Sequence, residues 1–286
     1  ILLGDRFELF SAAFCAHVAQ IPIAHISGGE TTAGAFDEAI RHSITKMSWW
    51  HFVAADEYKR RVIQLGEDSK RVIMVGGLGV DNIMKTTLLT KSELEKRIGF
   101  KFSTKNLLVT FHPVTLEEKT AKDQCIELLN ALERLNNTKI IFTYPNADTD
   151  GRIIKKLMDL FTKKHADTTA VFPSLGQLNY LSTLQYVDGL VGNSSSGLAE
   201  APTFKIGTIN IGDRQKGRLK AKSIIDCKSN QKSITEAIGR LYSKEFQDEL
   251  KTVQNPYGDG NATDKILDIL IKQPVPKELK KEFIDL

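Results

Sequence analysis

The sequence predicts an α/β fold built on parallel sheets. Three observations predict it. Short apolar runs alternate with helical periodicities along most of the 286 residues, the rhythm of repeated βαβ units. The runs are continuous rather than alternating, as in strands buried on both faces. Gly-, His- or charge-rich turns follow several runs directly, at the strand edge where open α/β sheets bind ligands.

The elements follow in order. Ile1–Leu3 is a strand because its apolar run breaks at once into Gly4-Asp5-Arg6. Glu8–Ala19 is the helix that crosses to a second strand, Ile23–Ile26, closed by Ser27-Gly28-Gly29. Phe36–Met47 and Asp56–Leu65 read as helices around the strand His51–Ala54, and Arg71–Val75 reads as the next strand. A polar helix, Lys91–Arg97, lies in a connector across Lys85–Phe102. The alternation then restarts with strand Asn106–Phe111, helix Thr120–Leu135, strand Lys139–Tyr144 and helix Gly151–Thr162. Strand Ala170–Phe172, helix Leu175–Thr183, strand Gly189–Val191, helix Gly197–Ala201 and strand Thr208–Ile211 complete the pattern. Amphipathic stretches at Ser233–Leu241 and Thr263–Ile271 close the chain. The pattern implies two Rossmann-like halves with a cleft between them. A parallel sheet needs a neighbour beyond Ile1–Leu3, and Ile1 is no start methionine. The first domain is therefore expected to be incomplete at its N-terminus.

Composition narrows the partners. A net charge of +4 permits an anionic ligand but shows no basic stripe for nucleic acid. No apolar run reaches membrane-spanning length. Cys15, Cys125 and Cys227 have neither metal nor disulfide spacing, so the expectation is a reducing, cytoplasmic setting with no metal.

Two clusters carry candidate chemistry. In the first, Asp5 and Glu30 follow adjacent strand ends, with Asp37-Glu38 and Arg41-His42 downstream. Parallel neighbours lie roughly 4.8 Å apart, so such carboxylates can face one ligand and divide acid and base work. The plain alternative is helix capping and pairing with Arg6 or Arg41. Gly28-Gly29 allows a close approach to the main chain. His25, in an apolar strand, reads as a satisfied core histidine.

In the second cluster, His112 follows a strand and precedes Pro113. Asn193-Ser194-Ser195-Ser196-Gly197-Leu198-Ala199-Glu200 follows another strand and opens a helix, a pattern suited to phosphate. Glu200 lies four residues after Ser196, one too many for a capping box; a carboxylate there suits a ribose diol, and simple N-capping by a serine is the alternative. Arg214, in Gly212–Arg218, suits bidentate phosphate contacts, and a solvated charge run is the alternative, favoured where the loop is read in isolation.

Together these stretches resemble the UDP-N-acetylglucosamine 2-epimerase family, most closely its hydrolysing branch of bacterial sialic and legionaminic acid biosynthesis. The resemblance is carried by Gly4–Glu8, His25–Glu30, Asp37–Lys46, Arg61–Glu67, Phe111–Val114, Asn193–Glu200, Gly212–Arg218 and Asn255–Asn261, in family order. It implies a GT-B-like fold with residues 1–90 in the N-terminal domain, 91–262 in a UDP-binding domain, and 263–286 as a helical segment packing back. It implies hydrolysis of UDP-N-acetylglucosamine to N-acetylmannosamine and UDP through a glycal, without a cofactor. By the family pattern the catalytic candidates are Asp5, Glu30, Asp37 and His112. The substrate and UDP contacts are Arg6, Ser194, Ser195, Ser196, Gly197, Glu200 and Arg214. Ser27 stands where several relatives carry Glu, which shifts proton work to the other acids. The implied partner is a UDP-sugar, and the implied assembly is a homodimer or homotetramer. UDP-N,N'-diacetylbacillosamine is the alternative substrate. A non-hydrolysing epimerase, a UDP-sugar glycosyltransferase and an inactive UDP-binding fragment are the alternative functions.

Overall fold

Two parallel sheets organise the chain, each with its own core. The computed structural model describes residues 1–32, 37–113, 120–146 and 150–285. Phe36, Val114 and Leu286, which end three of the stretches named above, lie outside them. The described chain forms two units, Ile1–Met84 with Pro256–Leu286, and Lys85–Asn255.

The first sheet has the order β1 (Leu2–Leu3), β2 (Ala24–Ile26), β3 (Trp50–Val53) and β4 (Val72–Met74). All its neighbours pair in parallel. Every residue of β3 is buried, which is why Trp50-His51-Phe52-Val53 shows no polar alternation. Helices Phe7–Val18, Asp37–Met47 and Asp56–Gln64 link the strands. Trp50 is buried and packs with Ala262 and Ile266 of the helix Ala262–Lys272. Its indole Nε1 donates to Gln273 Oε1 at 2.8 Å. The Asp81 carboxylate starts that helix, accepting from the amides of Ala262 and Thr263 at 2.9 Å each. Two amides that no helix carbonyl can serve are thereby satisfied.

The second sheet has the order β10-β9-β8-β5-β6-β7, all parallel. These strands are β5 (Lys105–Thr110), β6 (Thr138–Thr143), β7 (Thr169–Phe172), β8 (Gly189–Gly192), β9 (Gly207–Ile211) and β10 (Ile224–Cys227). The chain winds outward from β5 in one direction and from β8 in the other. The junction of β5 and β8 is therefore the topological switch point, where such sheets bind ligands. The two strands approach so closely there that a Cβ on Gly192 would collide with the Thr110 carbonyl. Gly192 also has φ +141°, a conformation that side chains disfavour.

The strand Ile224–Cys227 and the helices Leu78–Lys85 and Lys244–Leu250 were not expected from sequence. The resemblance implies domain borders after 90 and 262, and the compact units of the described chain meet after Met84 and Asn255. The cause is local bonding. Leu89 receives the Tyr186 hydroxyl at 3.0 Å and donates to Ser182 Oγ at 3.0 Å, which ties it to the second unit. Gly77 N donates to the Tyr257 carbonyl at 2.8 Å, which ties Tyr257 to the first. The Gly76-Gly77 turn therefore docks Tyr257.

Candidate active site

The C-terminal edge of the first sheet is built around a buried arginine. β1 pairs with β2 in the register Leu3↔Ile26, so Gly4-Asp5 and Ser27-Gly28 leave the sheet side by side. Arg6 caps the helix Phe7–Val18 without a side-chain bond. The Asp5 carboxylate is thus not spent on capping, and it pairs with the Nη2 of Arg41. Arg41 is 1 % exposed. Its Nη1 reaches Glu38 Oε2 at 2.7 Å and the Glu30 carbonyl at 2.8 Å, and its Nη2 reaches Thr32 Oγ1 at 3.0 Å. A buried guanidinium needs this many acceptors, because an unpaired one would be strongly destabilising. The alternative weighed from sequence, pairing of Asp5 with Arg41, is what the structure contains.

His25 fixes the turn before Asp5. Its Nε2 donates to the Gly4 carbonyl at 2.8 Å, and its Nδ1 lies 3.1 Å from Thr45 Oγ1. Burial is the main cause that lowers its pKa to about 4, so the ring is neutral at physiological pH and acts as a structural donor. Gly29 has φ +76°, and a Cβ there would strike the Tyr58 carbonyl. The close approach that this glycine permits is to the helix Asp56–Gln64. Glu30 contributes its carbonyl to Arg41, and Asp37 opens the helix Asp37–Met47 that carries Arg41. Arg6 is half exposed, 3.7 Å from Glu8.

The C-terminal edge of the second sheet is built on neutral hydrogen bonds at the switch point. Thr110 of β5 pairs with Gly192 of β8, which places His112 next to Asn193. The Asn193 side chain accepts from the His112 amide at 2.7 Å and donates to the His112 carbonyl at 2.8 Å. The Asn193 carbonyl in turn accepts from Arg214 Nη1 at 3.1 Å and Gln215 Nε2 at 2.8 Å. His112, Asn193 and Arg214 are therefore one assembly, although 102 residues of sequence separate the first from the last.

The His112 ring has a defined tautomer. Its Nδ1 accepts from the Asn146 amide at 3.2 Å, which leaves the proton on Nε2. Burial, then the nearby Arg214 charge, lower its pKa to about 3. It is a neutral donor, not an imidazolium acid.

Beside it lies a cavity of about 410 Å³, lined by His112, Asn146, Ser174, Tyr180, Ser194 and Glu200 among others. The Ser194 and Ser195 amides donate to no protein group among the described residues, so both are available to an anion. Ser196 donates its hydroxyl to Glu200 Oε2. Gly197, expected at phosphate, is buried, gives its amide to the Ser194 carbonyl at 3.2 Å, and packs where a Cβ would strike Thr208. Burial pushes the Glu200 carboxyl up, opposed by the bond from Ser196. Among the described residues no His, Cys, Asp and Glu cluster could hold a metal ion, and no helix is long and apolar enough to cross a membrane.

Compared with known proteins, residues 1–271 match the UDP-N-acetylglucosamine 2-epimerase family. The chain belongs to this family. A GDP/UDP-N,N'-diacetylbacillosamine 2-epimerase (hydrolyzing) from Campylobacter jejuni is 42 % identical, over 100 % of this chain and 74 % of that relative. The polysialic acid biosynthesis protein P7 of Escherichia coli is 41 % identical, over 100 % of this chain and 73 % of its own length. The fold is shared with a UDP-GlcNAc 2-epimerase from Neisseria meningitidis crystallised with UDP-GlcNAc. The TM-score is 0.80 at 20 % identity, over 95 % of this chain and 75 % of that one. The two-sheet α/β architecture is thus GT-B-like.

Three residues to which the sequence assigns no catalytic or ligand role, Arg41, Glu38 and Asn193, are central to these edges. Arg41 and Glu38 lie three apart on one helix, a spacing that signals a pair. The link to Asp5 spans 36 residues, and the sequence offers Arg41 for it only beside Arg6. Asn193 begins the family-like serine stretch, but its bonding to His112 is visible only in three dimensions.

Proposed function

We propose that this family member is a hydrolysing UDP-sugar 2-epimerase. The observation that carries the reading is the assembly of His112, Asn193 and Arg214 beside the Ser194–Glu200 loop at the switch point. It is suited to a nucleoside diphosphate. The Ser194 and Ser195 amides and hydroxyls hold phosphate, and Arg214 offsets its charge. Glu200 accepts from the ribose diol. His112 donates through Nε2 to an oxygen of the departing diphosphate, which is where negative charge grows.

The reaction has two steps. A base takes the proton from C2 of the sugar while the C1–O bond breaks, and UDP leaves with the electron pair. Water then adds its oxygen to C1 of the glycal, and a proton returns to C2 on the other face. Asp5, Glu30 and Asp37 are the acids proposed for these transfers, with Asp5 held in place by Arg41. No net oxidation occurs, so the chemistry calls for no redox cofactor. A homo-oligomer in the cytoplasm goes with the same reading.

The sugar has two candidates. UDP-N-acetylglucosamine is the first. UDP-N,N'-diacetylbacillosamine is favoured by the name of the 42 % identical relative. Incubating the protein with each, and following the products by proton NMR, tests the reading. The expected outcome is free UDP and a 2-epimerised free sugar from one of them. Products that keep UDP would mean a non-hydrolysing epimerase, and transfer to an acceptor would mean a glycosyltransferase.

A further inference from the structure

The wall of the second-unit cavity contains a hydrogen-bond chain with a fixed direction. Tyr180, on the helix Gly176–Leu184, places its hydroxyl on Ser196 Oγ. Ser196 Oγ in turn bonds Glu200 Oε2. A serine hydroxyl has one proton. With Glu200 ionised that proton must go to the carboxylate, so Tyr180 is the donor to Ser196. Burial, then the Glu200 charge, raise the Tyr180 phenol further above its already high pKa. It therefore stays protonated and keeps its role as donor. The other Glu200 oxygen, Oε1, has no protein partner among the described residues, and Tyr180, Ser196 and Glu200 all line the cavity.

We propose that the Tyr180 hydroxyl is a positioning group for Glu200. Acting through Ser196, it holds Oε2 toward the protein and presents Oε1 to a vicinal diol of the ligand. The identity of that diol as the ribose of UDP rests on the function proposed above; the relay does not. The phenol is a suitable anchor because it projects from the helix Gly176–Leu184, an element separate from the serine loop. A serine alone could rotate and would leave the carboxylate without a fixed orientation.

Tyr180→Phe removes one oxygen and keeps the ring, so it deletes the first link alone. UDP affinity by calorimetry should fall roughly five- to tenfold, the value of one hydrogen bond. Ser196→Ala should give a similar loss. The double variant should bind no more weakly than the worse single one, because both substitutions cut one chain. Parental affinity in Tyr180→Phe, or losses that multiply, would overturn the proposal. A second readout needs no UDP. The carboxyl carbon resonance of Glu200, titrated in the ligand-free protein, should show a higher midpoint in Tyr180→Phe, because a less polarised Ser196 stabilises the carboxylate less. An unchanged midpoint would also overturn it. If the parent protein binds no UDP while this midpoint moves, the UDP reading fails and the relay stands.

Discussion

The two C-terminal strand edges solve the same problem by different means. The first is organised by charge, with one buried guanidinium that gathers Asp5, Glu38, Thr32 and the Glu30 carbonyl. The second is organised by neutral bonds, with one amide side chain that closes on both backbone groups of His112. Charge-organised sites can exchange protons and compensate charge that changes during a reaction. Sites organised by neutral bonds hold a shape and offer dipoles that need no rearrangement. On this contrast the first edge is suited to proton transfer and the second to holding the nucleotide.

Arg41→Met strikes the contrast hardest. It leaves Asp5 and Glu38 facing one another without their cation, and the unfolding free energy should drop by about 3–5 kcal/mol. Denaturant titration measures it, and a loss below about 1 kcal/mol would mean that charge does not organise this edge. Asp5→Asn should lower turnover by roughly 10²-fold or more yet leave UDP affinity near the parental value. Steady-state kinetics and calorimetry on the same preparation separate the two, and a matching fall in affinity would erase the division of labour. Asn193→Ala should do the reverse. Two backbone groups of His112 lose their partners, at about 1–3 kcal/mol each, and UDP affinity should fall at least tenfold.

The smallest effect concerns pH. The folded pKa of His112, about 3, lies below the 6.5 of an unperturbed ring. As pH falls below 6.5 the unfolded chain takes up this proton first, so the residue costs stability progressively down to the folded value. Within the folded protein it does not titrate near neutrality. The ratio of UDP affinities of the parent and His112→Gln should therefore be flat between about pH 5 and 8. A limb near 6.5 in that ratio would show that the ring is a titrating group after all.

Much of this was legible in the sequence, and the omissions have physical causes. Nine of the ten strands among the described residues follow from continuous apolar runs. The missed one, Ile224–Cys227, is an edge strand whose Asp226 is exposed, so it lacks the doubly buried signature. The helix Lys244–Leu250 buries only Phe246 and Leu250, too little for a visible stripe. His112, Glu200 and Arg214 stood out because each lies in the stretch that follows a strand of the second sheet. Arg41 did not stand out as a centre, since its bond to Asp5 spans 36 residues and periodicity reports only local spacing. Asn193 bonds His112 across 81 residues, with no pattern in between.

The absent side chain at Gly192 has a consequence for anyone recombining relatives. β5 and β8 meet there with no space for even a methyl group, and Asn193 then clasps the loop of the neighbouring strand. The serine loop is therefore not a cassette. A chimaera that imports residues 193–200 from another family member must import the segment around residue 112 as well, or the graft will arrive without its counterpart.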